Sequence, residues 1–206
     1  MTIHRRHLLA LVAAGSAMPA LAQAQGATAI QTAAWETERA LGSPQAKNRV
    51  SEWFSLTCTH CARFAQETFP QIRKDLIDTG KVIWVFEDFP LDRVALQAAM
   101  VARALPPDRY EPFIMALFAS QDRWAFAQGV DSTKELWNMA ALAGMNRPTF
   151  EAAIGDSALQ SWILAQQNNA EKKYQIDATP SFVVNGKKYS GEMSYSDFVK
   201  LLPGVS

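Results

Sequence analysis

Thiol and imidazole are scarce in this chain. Two cysteines and three histidines are all that its 206 residues carry, and His4 and His7 fall at the extreme N-terminus. The others, Cys58, His60 and Cys61, share one four-residue stretch, Cys58-Thr59-His60-Cys61. A structural zinc centre needs four ligands converging tetrahedrally, which one Cys-x-x-Cys with a histidine inside its own loop cannot supply. A c-type haem attachment needs histidine directly after the second cysteine, and Ala62 stands there. No metal and no cofactor are expected. Charge of one sign is lacking too: 20 Lys+Arg balance 20 Asp+Glu, so a nucleic-acid partner has no support.

What is present begins with a leader. Arg5 and Arg6 precede the apolar run Leu8–Ala14, and Pro19-Ala20-Leu21-Ala22-Gln23-Ala24 follows with small residues at signal-peptidase spacing. That is the order of a secretory signal, residues 1–24, with cleavage after Ala22 or Ala24. The run is too short, and too rich in Gly, Ser and Pro, to span roughly 30 Å of hydrocarbon as an anchor. Arg5-Arg6 before His7-Leu8-Leu9 also resembles a twin-arginine signal, which leaves the export route open. Either route leads to a bacterial envelope, and the expected location is the periplasm. Removing the leader leaves 18 basic against 20 acidic residues, a net charge of −2. The rest, 49% hydrophobic and 19% charged over the whole chain, has the profile of a globular protein of one domain.

In an oxidising compartment two close cysteines read first as a disulfide. A bridge between Cys58 and Cys61 closes a four-residue loop, for which chain entropy gives only about 2 kcal/mol. It staples almost nothing together, so a bond meant to be made and broken fits better than a structural one.

Periodicity places the pair. Asn48–Leu56 reads as a buried strand ending just before it. A helix is predicted from Cys58 to about Asp78, with Phe64, Phe69, Ile72, Leu76 and Ile77 as its apolar stripe, a kink or interruption at Pro70 and a stop at Thr79-Gly80. Val82–Phe86 is a second buried strand, which completes a right-handed βαβ unit. Helices are then predicted over Leu91–Leu105, Arg109 to about Gln121, Ser132–Gly144 (opened by the capping box Ser132-x-x-Glu135) and Ser157–Gln175. Ser181–Val184, the Asn185-Gly186 turn and Lys187–Ser190 form a hairpin, and Ser194-x-x-Asp197 opens a last helix, Tyr195–Leu202. The sum is an α/β chain: βαβ, then a helical insertion over about 91–176, then ββα.

The thiolate is the attacking species in disulfide exchange. Cys58, where strand turns to helix, meets unpaired backbone N–H groups and the positive end of the dipole, so it is expected to be the exposed nucleophile with a depressed pKa. Cys61, one turn on, is expected to be buried and to resolve the mixed disulfide. A protonated His60 would add positive charge beside the thiolate; otherwise it is an exposed loop residue. Thr179-Pro180 precedes the strand Ser181–Val184. A cis proline there would leave the preceding backbone free for an extended substrate, while spacing alone equally allows a strand-start proline. Glu52, alternating with Trp53, is either an edge-strand charge or a buried carboxyl acting on the cysteine protons.

Glu52-Trp53-Phe54-Ser55-Leu56-Thr57-Cys58-Thr59-His60-Cys61, with Phe86-Glu87-Asp88-Phe89-Pro90-Leu91 and Thr179-Pro180-Ser181-Phe182-Val183-Val184-Asn185-Gly186, resembles the DsbA-type periplasmic oxidoreductases of the thioredoxin superfamily across essentially the whole mature chain. The resemblance implies a thioredoxin fold with an inserted helical domain, Cys58 as nucleophile, Cys61 as resolving cysteine, Pro180 as the cis proline, Glu52 as the buried acid and His60 as the histidine of Cys-Pro-His-Cys. Thr59 departs from that pattern, which has proline there. Thr179 departs too, since threonine before the cis proline is more typical of the isomerase-like DsbC and DsbG proteins; Thr179 and Pro180 would contact substrate.

The implied function is introduction of disulfides into reduced exported proteins, with reoxidation by a DsbB-like membrane partner. The alternative is a reductase or isomerase served by a DsbD-like partner. Isomerases of that type carry an extra N-terminal dimerisation domain. About 25 mature residues before the first strand are too few for one, so a monomeric oxidase is expected. A binding or chaperone module with an inert disulfide is the reading from another class.

Overall fold

The computed structural model describes residues 34–205, and the expected leader over residues 1–24 lies outside them. Five strands form one mixed sheet in the order β1-β3-β2-β4-β5: β1 Arg39–Leu41, β2 Asn48–Phe54, β3 Val82–Asp88, β4 Ser181–Val184 and β5 Lys187–Ser190. β2 runs parallel to β3 and antiparallel to β4, and the outer pairs are antiparallel. The βαβ and ββα halves therefore share one sheet, with β2, the strand that leads into the cysteines, at its centre. The edge strand β1 is too short to leave a pattern in the sequence.

Side chains of β2 alternate between two cores, as a pleated strand buried on both faces must. Val50 and Phe54 face a large aromatic cluster with Trp84, Phe86, Phe64 and Phe182. Trp53 faces the other way, onto Phe89, Ala170, Ile176 and Val183. The Phe64 ring lies 4.7 Å from Phe182 and 6.1 Å from Trp84, so the helix carrying the cysteines is held onto the sheet by aromatic packing.

The helical stretch expected to be kinked or interrupted at Pro70 is interrupted, in three segments: α1 Thr59–Glu67, α2 Phe69–Ile72 and a π-helical turn, Arg73–Ile77. The break falls at Thr68, and Pro70 sits in the first turn of α2, where a missing N–H costs nothing. Between β3 and β4 come α3 Arg93–Ala104, α4 Pro107–Ala119, α5 Gln121–Trp124, α6 Ser132–Leu142, α7 Arg147–Gly155 and α8 Ser157–Tyr174. A short α9, Tyr195–Val199, follows β5 and is capped by Ser194 as expected. The capping box is corrected: Asp131, not Ser132, caps α6, accepting from the N–H groups of Thr133 and Lys134. Helix α7, capped by Asn146 with a proline in its first turn, was not expected; its small residues carry weak periodicity.

A buried charge cluster ties the insertion to the sheet. Arg103 of α3 donates to Asp88 at 2.6 Å, Tyr110 of α4 donates to the other Asp88 oxygen at 3.2 Å, and Arg39 of β1 donates to the Arg103 carbonyl at 2.9 Å. Among the described residues no helix is long and apolar enough to cross a membrane.

Candidate active site

Strand β2 ends at Phe54, and Ser55-Leu56-Thr57 turn the chain into α1 with Cys58 as its N-cap, in an extended conformation. The Cys58 N–H donates to the Ser55 carbonyl at 3.1 Å, closing the turn. The turn is pinned from outside as well. Thr57 Oγ1 donates to Asp92 at 2.6 Å. Gln121, buried in α5, donates through Nε2 to the carbonyls of Leu56 at 2.8 Å and Cys58 at 3.1 Å. Nothing in the sequence marks Gln121: a lone polar residue in a helical block carries no periodic signal. Its role comes from the insertion folding back over the cysteine turn.

Both cysteines are free thiols. Cys61 is fully buried and Cys58 retains 8% of its surface. The expected order of burial is present, but the nucleophile is far less open than a residue at a turn suggests. Hydrogen bonding from the Cys61 thiol draws the Cys58 pKa from 9.0 down to about 5, aided by Thr179 and by the backbone N–H groups of Cys61 and His60, against the opposing effect of burial. Burial, first, and then the neighbouring Cys58 push Cys61 well above the ordinary thiol range. One ionised and one protonated sulfur therefore sit side by side at neutral pH.

Across from the pair, the Thr179–Pro180 peptide is cis, and Cys58 in its thiol form donates from Sγ to the Thr179 carbonyl at 3.3 Å. The Thr179 hydroxyl is buried without a hydrogen-bond partner, so its proton is free for the Cys58 thiolate. Glu52 is 2% exposed and lies on the central strand, so the edge-strand reading is overturned. It accepts from the Trp84 indole at 3.1 Å. Burial drives its pKa from 4.5 to about 8, and only when it is ionised does its charge add to what holds Cys61 protonated. His60 is 59% exposed and turns to Glu192, Nδ1 to Oε1 at 3.4 Å; only its backbone N–H addresses the Cys58 sulfur. Thr59 begins α1 and is exposed. The fold thus brings Glu52, Cys58, Cys61, Thr179 and Pro180 together and leaves the His60 ring at the rim.

The raised Glu52 pKa has a thermodynamic consequence. A group whose folded pKa lies above its unfolded value lends stability that is complete below about pH 4.5 and is lost as pH climbs to about 8. Denaturant titrations of the wild type should lose about 3.5 kcal/mol between pH 5 and 8 relative to Glu52→Gln, which keeps an acceptor for Trp84. Parallel stability curves for the two proteins would show that this carboxyl is not buried as an acid.

A low-pKa thiolate capping a helix, a buried partner thiol one turn on and a cis proline opposite define a dithiol–disulfide exchange site on a thioredoxin fold. The comparisons agree. A family model described as Thioredoxin matches residues 34–203. The crystal structure of Wolbachia pipientis alpha-DsbA1 superposes with a TM-score of 0.76 at 31% identity, over 82% of this chain and 90% of that one. The Salmonella typhimurium thiol:disulfide interchange protein DsbA is 29% identical over 150 residues, 71% of this chain and 68% of its own length. A Rickettsia conorii protein, provisionally named a protein-disulfide oxidoreductase, is 29% identical over 152 residues, 73% of this chain. The chain spans about half the length of that relative, 54%. The chain belongs to the thioredoxin family, and within that superfamily it is DsbA-like.

Proposed function

We propose that the protein is a periplasmic thiol–disulfide oxidoreductase that introduces disulfides into reduced exported proteins through the Cys58–Cys61 pair. The observation that carries this reading is the divergence of the two thiols, with Cys58 drawn to about 5 and Cys61 held well above 9. A thiolate stabilised that strongly is a good leaving group, so the Cys58–Cys61 disulfide passes its oxidation on readily.

In the oxidised enzyme a substrate thiolate attacks Cys58 Sγ. The Cys58–Cys61 bond breaks, a mixed disulfide forms, and the Cys61 sulfur leaves and takes up a proton. Glu52, neutral at pH 7 and close to Cys61, is suited to supply that proton through water. A second substrate thiolate then attacks the substrate sulfur of the mixed disulfide and releases Cys58 as thiolate. Two substrate thiols become one disulfide, and the enzyme disulfide becomes thiol and thiolate. The polypeptide lies along the Thr179–Pro180 backbone as an added strand. Reoxidation falls to a DsbB-like membrane oxidase, and the enzyme works as a monomer.

Equilibration with glutathione buffers tests the direction. A potential in the range of strongly oxidising DsbA, about −120 mV, supports the oxidase; one near the thioredoxin value, about −270 mV, overturns it in favour of a reductase or isomerase of the DsbC/DsbG kind.

A further inference from the structure

Sequence reasoning gave His60 the task of tuning the thiolate, yet its ring is engaged elsewhere. Glu192, in the loop after β5, places Oε1 3.4 Å from His60 Nδ1 and 2.5 Å from Arg63 Nη1. Its other oxygen is buried and unpartnered. His60 and Arg63 both belong to α1, in the first turns after Cys58. One carboxylate thus bridges the ββα half of the fold to the imidazole of His60 and the guanidinium of Arg63 on the cysteine helix. Glu67 of α1 lines the same groove, with Thr68 and Ser194 as its neutral polar neighbours.

We infer that Glu192 is a positioning residue that sets the oxidising power of the Cys58–Cys61 pair by drawing cationic charge away from the thiolate. The carboxylate supplies one negative charge against the first turns of the helix that Cys58 caps, and it holds the His60 and Arg63 groups toward the β5 loop. Its removal leaves one charge fewer on the anionic side. The field at Cys58 becomes more positive, the thiolate becomes more stable, and the disulfide becomes a stronger oxidant. Neutralising Arg63 does the opposite. This inference rests on the exchange reading above.

The test is the glutathione equilibrium of purified Glu192→Gln and Arg63→Gln proteins, with the pH midpoint of Cys58 alkylation as second readout. Glu192→Gln is expected to shift the equilibrium constant about threefold toward the oxidant, about 14 mV. Arg63→Gln is expected to shift it in the reducing direction. Both shifts should shrink in 1 M salt, where the screening length is about 3 Å. The alkylation midpoint moves down in the first variant and up in the second. Shifts of the same sign in both variants, or none in either, overturn the inference and leave Glu192 as a structural tie. A Cys58→Ser protein that still exchanges disulfides would instead overturn the reading it rests on, a separate and distinguishable failure.

Discussion

Replacing Cys58 with serine is expected to abolish disulfide exchange, a fall of about 10³-fold or more to the uncatalysed rate. A hydroxyl can neither form the mixed disulfide nor leave from it. Cys61→Ser has a different signature. Its Cys58 is still ionised and still attacks, but the buried sulfur that resolves the adduct is gone. A covalent complex with a substrate peptide should accumulate and run as a single larger species on a non-reducing gel. The two thiols should also alkylate selectively at pH 6: Cys58, with its pKa near 5, is mostly thiolate there, and Cys61 is wholly protonated. Mass spectrometry after brief iodoacetamide treatment reads this directly. Equal labelling of both thiols, or a Cys61→Ser protein that traps nothing, would assign the wrong nucleophile. A Cys58→Ser protein that keeps its full function would return the chain to the class of binding modules.

Much of this site was legible because its chemistry is local. The nucleophile, its resolving partner and the helix that polarises them lie within four residues, and strand, turn and helix follow from the apolar pattern on either side. Pro180 was legible as a position but not as a cis peptide, because spacing alone fits a strand-start proline equally well. Glu52 was undecided for a related reason. Its alternation with Trp53 fixes which face of β2 it occupies, and only the placing of β2 between β3 and β4 decides that this face is buried. Gln121 and Glu192 were invisible. Each reaches Cys58 or His60 across a sequence separation that no local pattern encodes, 63 residues for the Gln121–Cys58 bond. Adjacency leaves His60 open between a thiolate partner and an exposed loop residue, and the fold gives it an exposed ring turned to Glu192. Residues that act through their neighbours in sequence could be read; residues that act through the tertiary fold could not.

The depressed Cys58 pKa makes the relative stability of the two redox forms a function of pH, with a change of sign. In the reduced protein the folded pKa lies below the unfolded value, about 5 against 9.0. The resulting stability is complete above pH 9 and is lost as pH falls through 5. Between these limits it grows by about 1.4 kcal/mol per pH unit and reaches about 3 kcal/mol at pH 7. Cys61 adds nothing in this range, since it stays protonated when folded and is mostly protonated when unfolded. The oxidised protein has no thiol to titrate, but its four-residue loop restricts the unfolded chain, worth about 2 kcal/mol at any pH. The thiolate outweighs the loop at neutral pH and the loop outweighs the thiolate in acid. Denaturant titrations of the two forms should therefore cross between about pH 6 and 7, with the oxidised form the more stable at pH 5 and the reduced form ahead by about 3 kcal/mol at pH 9. Stability below its reduced form is what makes a disulfide an oxidant at neutral pH, since folding itself then favours giving the bond away. A pH-independent gap, or an oxidised form that remains the more stable at pH 8, would remove the thermodynamic basis for oxidase action at Cys58.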